Sequence, residues 1–230
     1  MSTDRYHELK ARQRAEQLRH PDGMALRVHR ALSWLQRAEL ADDDEDARFL
    51  FLWIAFKAAY AEHSLVERDF TESPALRQFL AHLLRLDEGE QLARLLWRQF
   101  PQAVRLLLDS PHCFQPYWDA HAQGQIAALS PDEIAALWKP AFERARIQAR
   151  GALVRLDTED VLILVLSRLH VPLTQLQLGG TTWDSRSSRD TVRDGARLLG
   201  VLVPLIIELM LDNPGAGWAA PCYPGENPAF

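Results

Sequence analysis

The apolar positions of the chain recur mainly at the spacing of amphipathic helices. Between Met24 and Leu40, leucines and other apolar residues return every three or four positions, which predicts a helix with one buried face. The next segment, Phe49–Ala61, is apolar at every position except Lys57, which is typical of a helix in the centre of a bundle. Runs of β-branched residues are few, and Leu, Ala, Arg and Glu are abundant. The pattern therefore predicts an all-α protein.

Helix start and stop signals divide this pattern into separate elements. Asp42–Asp46 is acidic and suits a helix N-terminus, Ser130 to Glu133 reads as a capping box with Pro131 at the first helical position, and Gly179-Gly180 is a stop signal. We expect helices over residues 4–20, 24–40, 49–61, 75–86, 88–108, 130–153, 157–178 and 189–211, with an irregular segment over His112–His121.

These elements predict one domain spanning residues 1–230. Its bundle helices would lie at about 24–63 and 157–212, a helical insertion would occupy about 70–153, and residues 213–230 would form an irregular C-terminal tail rich in Pro and Gly.

Composition narrows the function classes. The net charge of −5 argues against a broad non-specific grip on polyanions. Cys113 and Cys222 are far apart, so no disulfide framework or zinc motif is implied, and the N-terminus lacks the apolar core of a signal peptide. The longest apolar runs are too short to span a bilayer. We expect a cytoplasmic protein away from the membrane, and no nucleotide motif, cofactor or metal is indicated.

Three segments resemble the HEPN family, specifically its larger all-α bacterial members. HRALSWLQRAE (His29–Glu39) and DARFLFLWIAFKAAYA (Asp46–Ala61) are similar to the first two helices of that bundle. RLHVPLTQLQLGGTTWDS, followed by RDTVRDGARLLGVLVPLIIELMLDNP, is similar to the last two helices and their junction. The resemblance implies a HEPN-like bundle, a homodimer, and a link to RNA.

Many HEPN proteins are metal-independent endoribonucleases whose motif, Arg, a polar residue, a few variable residues and His, comes just before the Gly-Gly pair. A His can transfer the proton of the attacking 2′-hydroxyl, and an Arg can hold the phosphate. In the register set by the glycines and Trp183, the Arg position holds Leu173, the polar position Thr174, and the His position Leu178. Leucine can do neither task, so the resemblance implies a degenerate motif.

The nearest residues with the missing chemistry are Arg168 and His170, and Lys57 stands where the family usually has Asn. These three are the candidate catalytic residues of a rearranged cleft. Structural roles are the alternative for these residues. A lysine in an apolar helix can extend its ammonium group to the surface or pair with a polar group. Gly179, Gly180 and Trp183 are expected to fix the junction, with the indole packed on the bundle. Pro172 is expected to disturb the helix before it.

The arginines that gather at the start of the last helix alternate with Asp184, Asp190 and Asp194, which favours a salt-bridged face over an RNA grip. The leading hypothesis is a non-catalytic HEPN protein that acts as a binding or regulatory subunit in an RNA-targeting defence or toxin-type system. One alternative is an active metal-independent endoribonuclease, and another is a helical scaffold without a nucleic-acid role.

Overall fold

The fold is all-α, as the sequence predicts. The structure is a computed structural model and describes residues 5–61, 74–186 and 189–223, which contain ten α-helices and no strand. The helices are α1 (Arg5–Ala15), α2 (Asp22–Glu39), α3 (Glu45–Tyr60), α4 (Pro74–Leu86), α5 (Gln91–Arg94), α6 (Pro101–Asp109), α7 (Gln115–Ala127), α8 (Pro131–Val154), α9 (Thr158–Gln177) and α10 (Arg189–Asp212). Short turns at Gln17–Arg19, Leu95–Gln99 and Pro111–Cys113 are 3-10, π and 3-10 helical, respectively.

The chain divides into two compact units. The first comprises residues 1–95 and 183–230, and the second comprises residues 96–182. Helix α9 therefore groups with α6–α8, the region that the sequence predicts to be an insertion, while α10 groups with α2 and α3. The single-domain organisation over residues 1–230 stays a prediction.

The first unit is built on α2, α3 and α10, which pack on one another. The apolar helix α3 supplies the largest buried side chains, Trp53, Phe56 and Tyr60, as expected for a helix with apolar residues on all sides. Asp44 is the N-cap of α3 and accepts a hydrogen bond from the Ala47 amide at 3.0 Å. The acidic run after α2 therefore begins the next helix, as its sequence predicts.

The C-terminal tail is held to α2 by arginines. The buried Arg27 donates to the carbonyl oxygens of Ala59 at 2.6 Å, and of Ala219 and Ala220 at 2.8 Å each. Arg30 donates to the carbonyl of Cys222 at 2.8 Å. The guanidinium groups supply the hydrogen bonds that an irregular backbone lacks. The described part of the tail, up to residue 223, has no regular structure, which confirms that prediction.

The second unit contains α6 to α9, with α7 packed against α8 and α8 against α9. Ser130 and Glu133 form the predicted capping box at the start of α8. The prediction of one helix over 88–108 is wrong: α5 passes into the π-helical turn, and α6 begins with Pro101 at its first position, where its missing N–H is no loss. The predicted irregular segment is also too long, because α7 already begins at Gln115.

Among the described residues, no helix is long and apolar enough to cross a membrane. Both cysteines are free thiols.

Candidate functional site at the end of helix α9

The Gly-Gly pair ends α9 in a Schellman motif. Leu178 is the C-cap residue, and Gly179 follows it with a φ of +67°. The Gly180 amide donates to the Gln175 carbonyl at 2.8 Å, and the Gly179 amide donates to the Leu176 carbonyl at 3.3 Å. This pair of bonds satisfies two carbonyls that the helix end leaves without partners. The left-handed conformation at Gly179 is the physical reason for a glycine there.

The three positions that the resemblance compares with the HEPN motif, Leu173, Thr174 and Leu178, lie at the end of this helix. Leu173 is 1% exposed and belongs to the core. Thr174 donates its hydroxyl to the carbonyl of His170 at 2.9 Å, so its polar group serves its own helix. Leu178 has a side chain that is 80% exposed. The helix continues through Pro172 up to Gln177.

Arg168 is a buried structural cation. Its guanidinium lies 4.6 Å from the ring centroid of Phe114 and 5.5 Å from that of Phe142, and the residue is 5% exposed. One of its nitrogens donates to the Cys113 carbonyl at 3.4 Å. Burial lowers the pKa of Arg168 from its ordinary value, since it removes water from the charged form. With 5% of the residue exposed and its guanidinium packed against two rings that contact each other, Arg168 has little surface open to a phosphate.

The other two candidate catalytic residues, His170 and Lys57, belong to different units. His170 is two residues further along α9, about 200° around the helix from Arg168, and it is half-buried. Lys57 belongs to the other unit and donates from Nζ to the hydroxyl of Tyr60 at 2.6 Å, with the ammonium 4.9 Å from that ring. Lys57 thus has a polar partner on its own helix, which is the structural role that the sequence offers as an alternative.

The junction after the glycines is held by the acidic residues at the start of α3. Asp46 accepts from the backbone amide of Asp184 at 2.8 Å and from the Arg189 guanidinium at 3.0 Å. The indole Nε1 of Trp183 donates to Asp44 at 3.1 Å. The expectation that this indole packs on the bundle is wrong, because Trp183 is 74% exposed and is anchored by its N–H alone.

The predicted salt-bridged face at the start of α10 is confirmed. Arg189 pairs with Asp184 at 3.2 Å, Arg193 with Asp190, and Arg197 with Asp194 at 3.8 Å. Carboxylates thus compensate the charges of Arg189, Arg193 and Arg197, which favours a salt-bridged face over an RNA-binding role for these three arginines.

Two contributions to the site escape sequence reasoning. The rings of Phe114 and Phe142 come from a loop and from α8, far from Arg168 in sequence, and no local pattern connects them. The contact of Asp46 with Asp184 joins residues 138 positions apart. In the described ranges, no group of three or more His, Cys, Asp or Glu residues could hold a metal ion.

Comparison with protein-family models, curated proteins and solved structures finds no match to this chain.

Proposed function

We propose that this chain is a HEPN-like protein that has lost ribonuclease chemistry and acts by binding. In this proposal it is a cytoplasmic binding or regulatory subunit of an RNA-targeting defence or toxin-type system. The resemblance of three segments to HEPN helices, together with the all-α class of the fold, supports this proposal.

The observation that carries the loss of catalysis is the state of the motif positions. Leu178, at the position of the family His, caps α9 with an apolar side chain, and Leu173, at the position of the Arg, is in the core. The nearest arginine in sequence, Arg168, is buried and packs against two aromatic rings. Proton transfer by a positioned side chain contributes roughly 10²–10⁴-fold to a rate, and charge stabilisation by a donor contributes a comparable factor. A site without either should have negligible activity.

The decisive experiment is an RNA cleavage assay on purified protein, with and without EDTA, using single-stranded and hairpin RNA labelled for fluorescence. We expect no cleavage above a buffer control under either condition. Cleavage that resists EDTA and disappears in His170→Ala, but persists in His121→Ala, the exchange of another half-buried histidine of the same unit, would overturn the proposal. That result would instead support the active endoribonuclease.

RNA binding separates a HEPN-like binding protein from a helical scaffold without a nucleic-acid role. In fluorescence anisotropy, the proposal predicts saturable RNA binding that weakens as salt rises from about 50 to 200 mM, because phosphate contacts release counterions. Absence of binding at low salt would favour the scaffold.

We further propose a homodimer with Leu178 in its contact. The side chain is apolar and 80% exposed, whereas Leu173 is buried in its own chain and cannot reach a partner. Sedimentation should show a dimer, and Leu178→Asp should shift it toward monomer because a charge would be buried at the contact. Val154→Asp is a matched control at another exposed apolar residue of the second unit. A wild-type monomer, or equal effects of the two changes, would exclude this contact.

A further inference from the structure

Helix α1 has two chemically different faces. On one face, Arg5 forms an ion pair with Glu208 of α10, and Arg12 donates to Asp212 of α10 at 2.7 Å. These pairs dock the polar helix on α10. On the other face, Lys10 and Arg14 are one turn apart, and neither forms an ion pair with a carboxylate in the part of the chain that the structure describes. Of these four cationic side chains of α1, two are therefore paired with carboxylates of α10, and the other two lack a counter-ion among the described residues.

The face that lacks counter-ions opens on a groove of about 830 Å³ between α1, the turn after it and α2. Both Lys10 and Arg14 line this groove, together with His20 and His29, and one carboxylate, Asp22, is part of the lining. The volume is in the range of pockets that take small organic molecules. The chain as a whole is acidic, so this groove differs in sign from the average surface.

The polar groups of the groove are in mutual contact. Lys10 Nζ lies 3.2 Å from Nδ1 of His29 and donates to Gln13 Oε1 at 2.7 Å. An ammonium can only donate, so Nδ1 of His29 accepts, and the imidazole is neutral with its proton on Nε2. Burial, and to a smaller extent the charge of Arg14, lowers the pKa of Lys10. Burial, and to a smaller extent the charges of Lys10 and Arg30, lowers the pKa of His29. The charge of Arg14 thus disfavours the charged form of Lys10, and the charge of Lys10 disfavours the charged form of His29, so the lining of the groove is electropositive.

His20 adds unused hydrogen-bonding capacity to the groove lining. Its side chain is 1% exposed, and neither ring nitrogen has a hydrogen-bond partner in the described structure. The closest carboxylate oxygen, on Glu16, is 3.9 Å away and belongs to a residue that Arg12 already binds at 2.9 Å. A buried polar group without a partner is unfavourable, and such groups in native proteins require an explanation.

We propose that this groove binds a phosphate dianion through Lys10, Arg14 and His29. A guanidinium, an ammonium and an imidazole match the charge and the three terminal oxygens of a phosphate better than the single charge of a carboxylate. The phosphate can be free or the head of a small organic monoester, and the volume of the groove leaves room for an organic body.

The test is calorimetric titration of the full-length protein at pH 7.5 and constant ionic strength with two probes, inorganic phosphate and phenyl phosphate. We expect saturable binding that Lys10→Gln and Arg14→Gln each weaken about tenfold or more, because each removes a charge-assisted hydrogen bond. Lys139→Gln, the same change on an exposed lysine of the second unit, should leave binding unchanged. Tighter binding of phenyl phosphate would identify a monoester site, and equal binding a site for free phosphate.

Histidine nitrogen spectra provide a second readout that a merely structural role of Lys10 would not move. Bound phosphate should raise the pKa of His29, because a nearby negative charge favours the imidazolium. Absence of saturable binding by either probe in the millimolar range, or binding that Lys10→Gln and Arg14→Gln leave unchanged in protein with wild-type circular dichroism, would overturn the proposal.

Discussion

The Schellman motif at the end of α9 makes a quantitative prediction about two adjacent glycines. Gly179 has a φ of +67°, and a Cβ added there would meet no atom within 4 Å. The cost of Gly179→Ala is therefore the backbone cost alone, about 1–2 kcal/mol for an L-residue in the left-handed region. The alanine also reduces the entropy of the unfolded chain, which returns about 0.4–1 kcal/mol. We expect the free energy of unfolding to fall by about 1 kcal/mol.

Gly180→Ala is the matched control, since it makes the same chemical change one residue later. Gly180 is not in the positive-φ region, and its added Cβ would lie 3.4 Å from the Gln175 carbonyl oxygen, close to ordinary contact. We expect this variant within about 0.5 kcal/mol of wild type, because only the entropy term and a small contact remain. Gly179→Asn should recover part of the loss, since Asn tolerates the left-handed conformation.

The assay is urea unfolding at 25 °C followed by far-ultraviolet circular dichroism, with a thermal scan as a second measure. In a chain of this length, 1 kcal/mol corresponds to a shift of roughly 2–4 °C in Tm. If Gly180→Ala costs as much as Gly179→Ala, or if both are neutral, the reasoning from the helix cap is refuted.

Three further predictions test the site and the acid response. Arg168→Ala removes a cation that packs on Phe114 and Phe142, and it should lower the free energy of unfolding by about 2–4 kcal/mol. Arg168→Met refills the space with apolar atoms and should cost less than about 1 kcal/mol in the same urea assay. A larger cost for Met than for Ala would contradict this. Asp46→Ala removes a buried acceptor of two hydrogen bonds at the junction, one of them from a guanidinium, and should cost about 2–3 kcal/mol. Asp44→Ala should cost about 1 kcal/mol, because the bonds that Asp44 accepts from the Ala47 amide and the exposed Trp183 indole lie nearer to solvent, and the reverse order would be inconsistent with the structure. Burial lowers the pKa of His20 below its ordinary 6.5, so the folded state binds fewer protons than the unfolded state there. Its contribution to stability is complete above about pH 6.5 and is lost as pH falls toward the lowered folded pKa. Urea unfolding between pH 7.5 and 5 should therefore show a smaller loss for His20→Gln than for wild type, and an identical pH dependence would remove His20 from the acid response.

Local signals in the sequence predict most helix boundaries because each depends on a few neighbouring residues. The capping box at Ser130, the cap at Asp44 and the stop at Gly179 are satisfied by atoms within five residues along the chain. The prediction failed over residues 88–108, where apolar spacing alone suggests one helix. There Pro101 begins a new helix after the π-helical turn.

The sequence also shows which chemistry the positions compared with the HEPN motif lack. Leu178 and Leu173 cannot transfer a proton or bind a phosphate, whatever their surroundings. The sequence does not reveal the roles of the candidate residues Arg168, His170 and Lys57. Arg168 has the chemistry of a phosphate ligand, and only its burial against Phe114 and Phe142 indicates a structural role.

The sequence by itself determined the all-α class, most helix boundaries and the absence of proton-transfer or phosphate-binding chemistry at Leu173 and Leu178, since hydrophobic period, capping and side-chain chemistry act over short distances. Only the tertiary structure decided which polar groups are compensated. Arg12 and Lys10 are two positions apart on one helix, yet Arg12 meets Asp212 and Lys10 meets His29. Pairing of charges depends on which helix packs on which face, and that arrangement joins residues as many as 200 positions apart. For the same physical reason the cationic groove between α1 and α2 is invisible in the composition of an acidic chain.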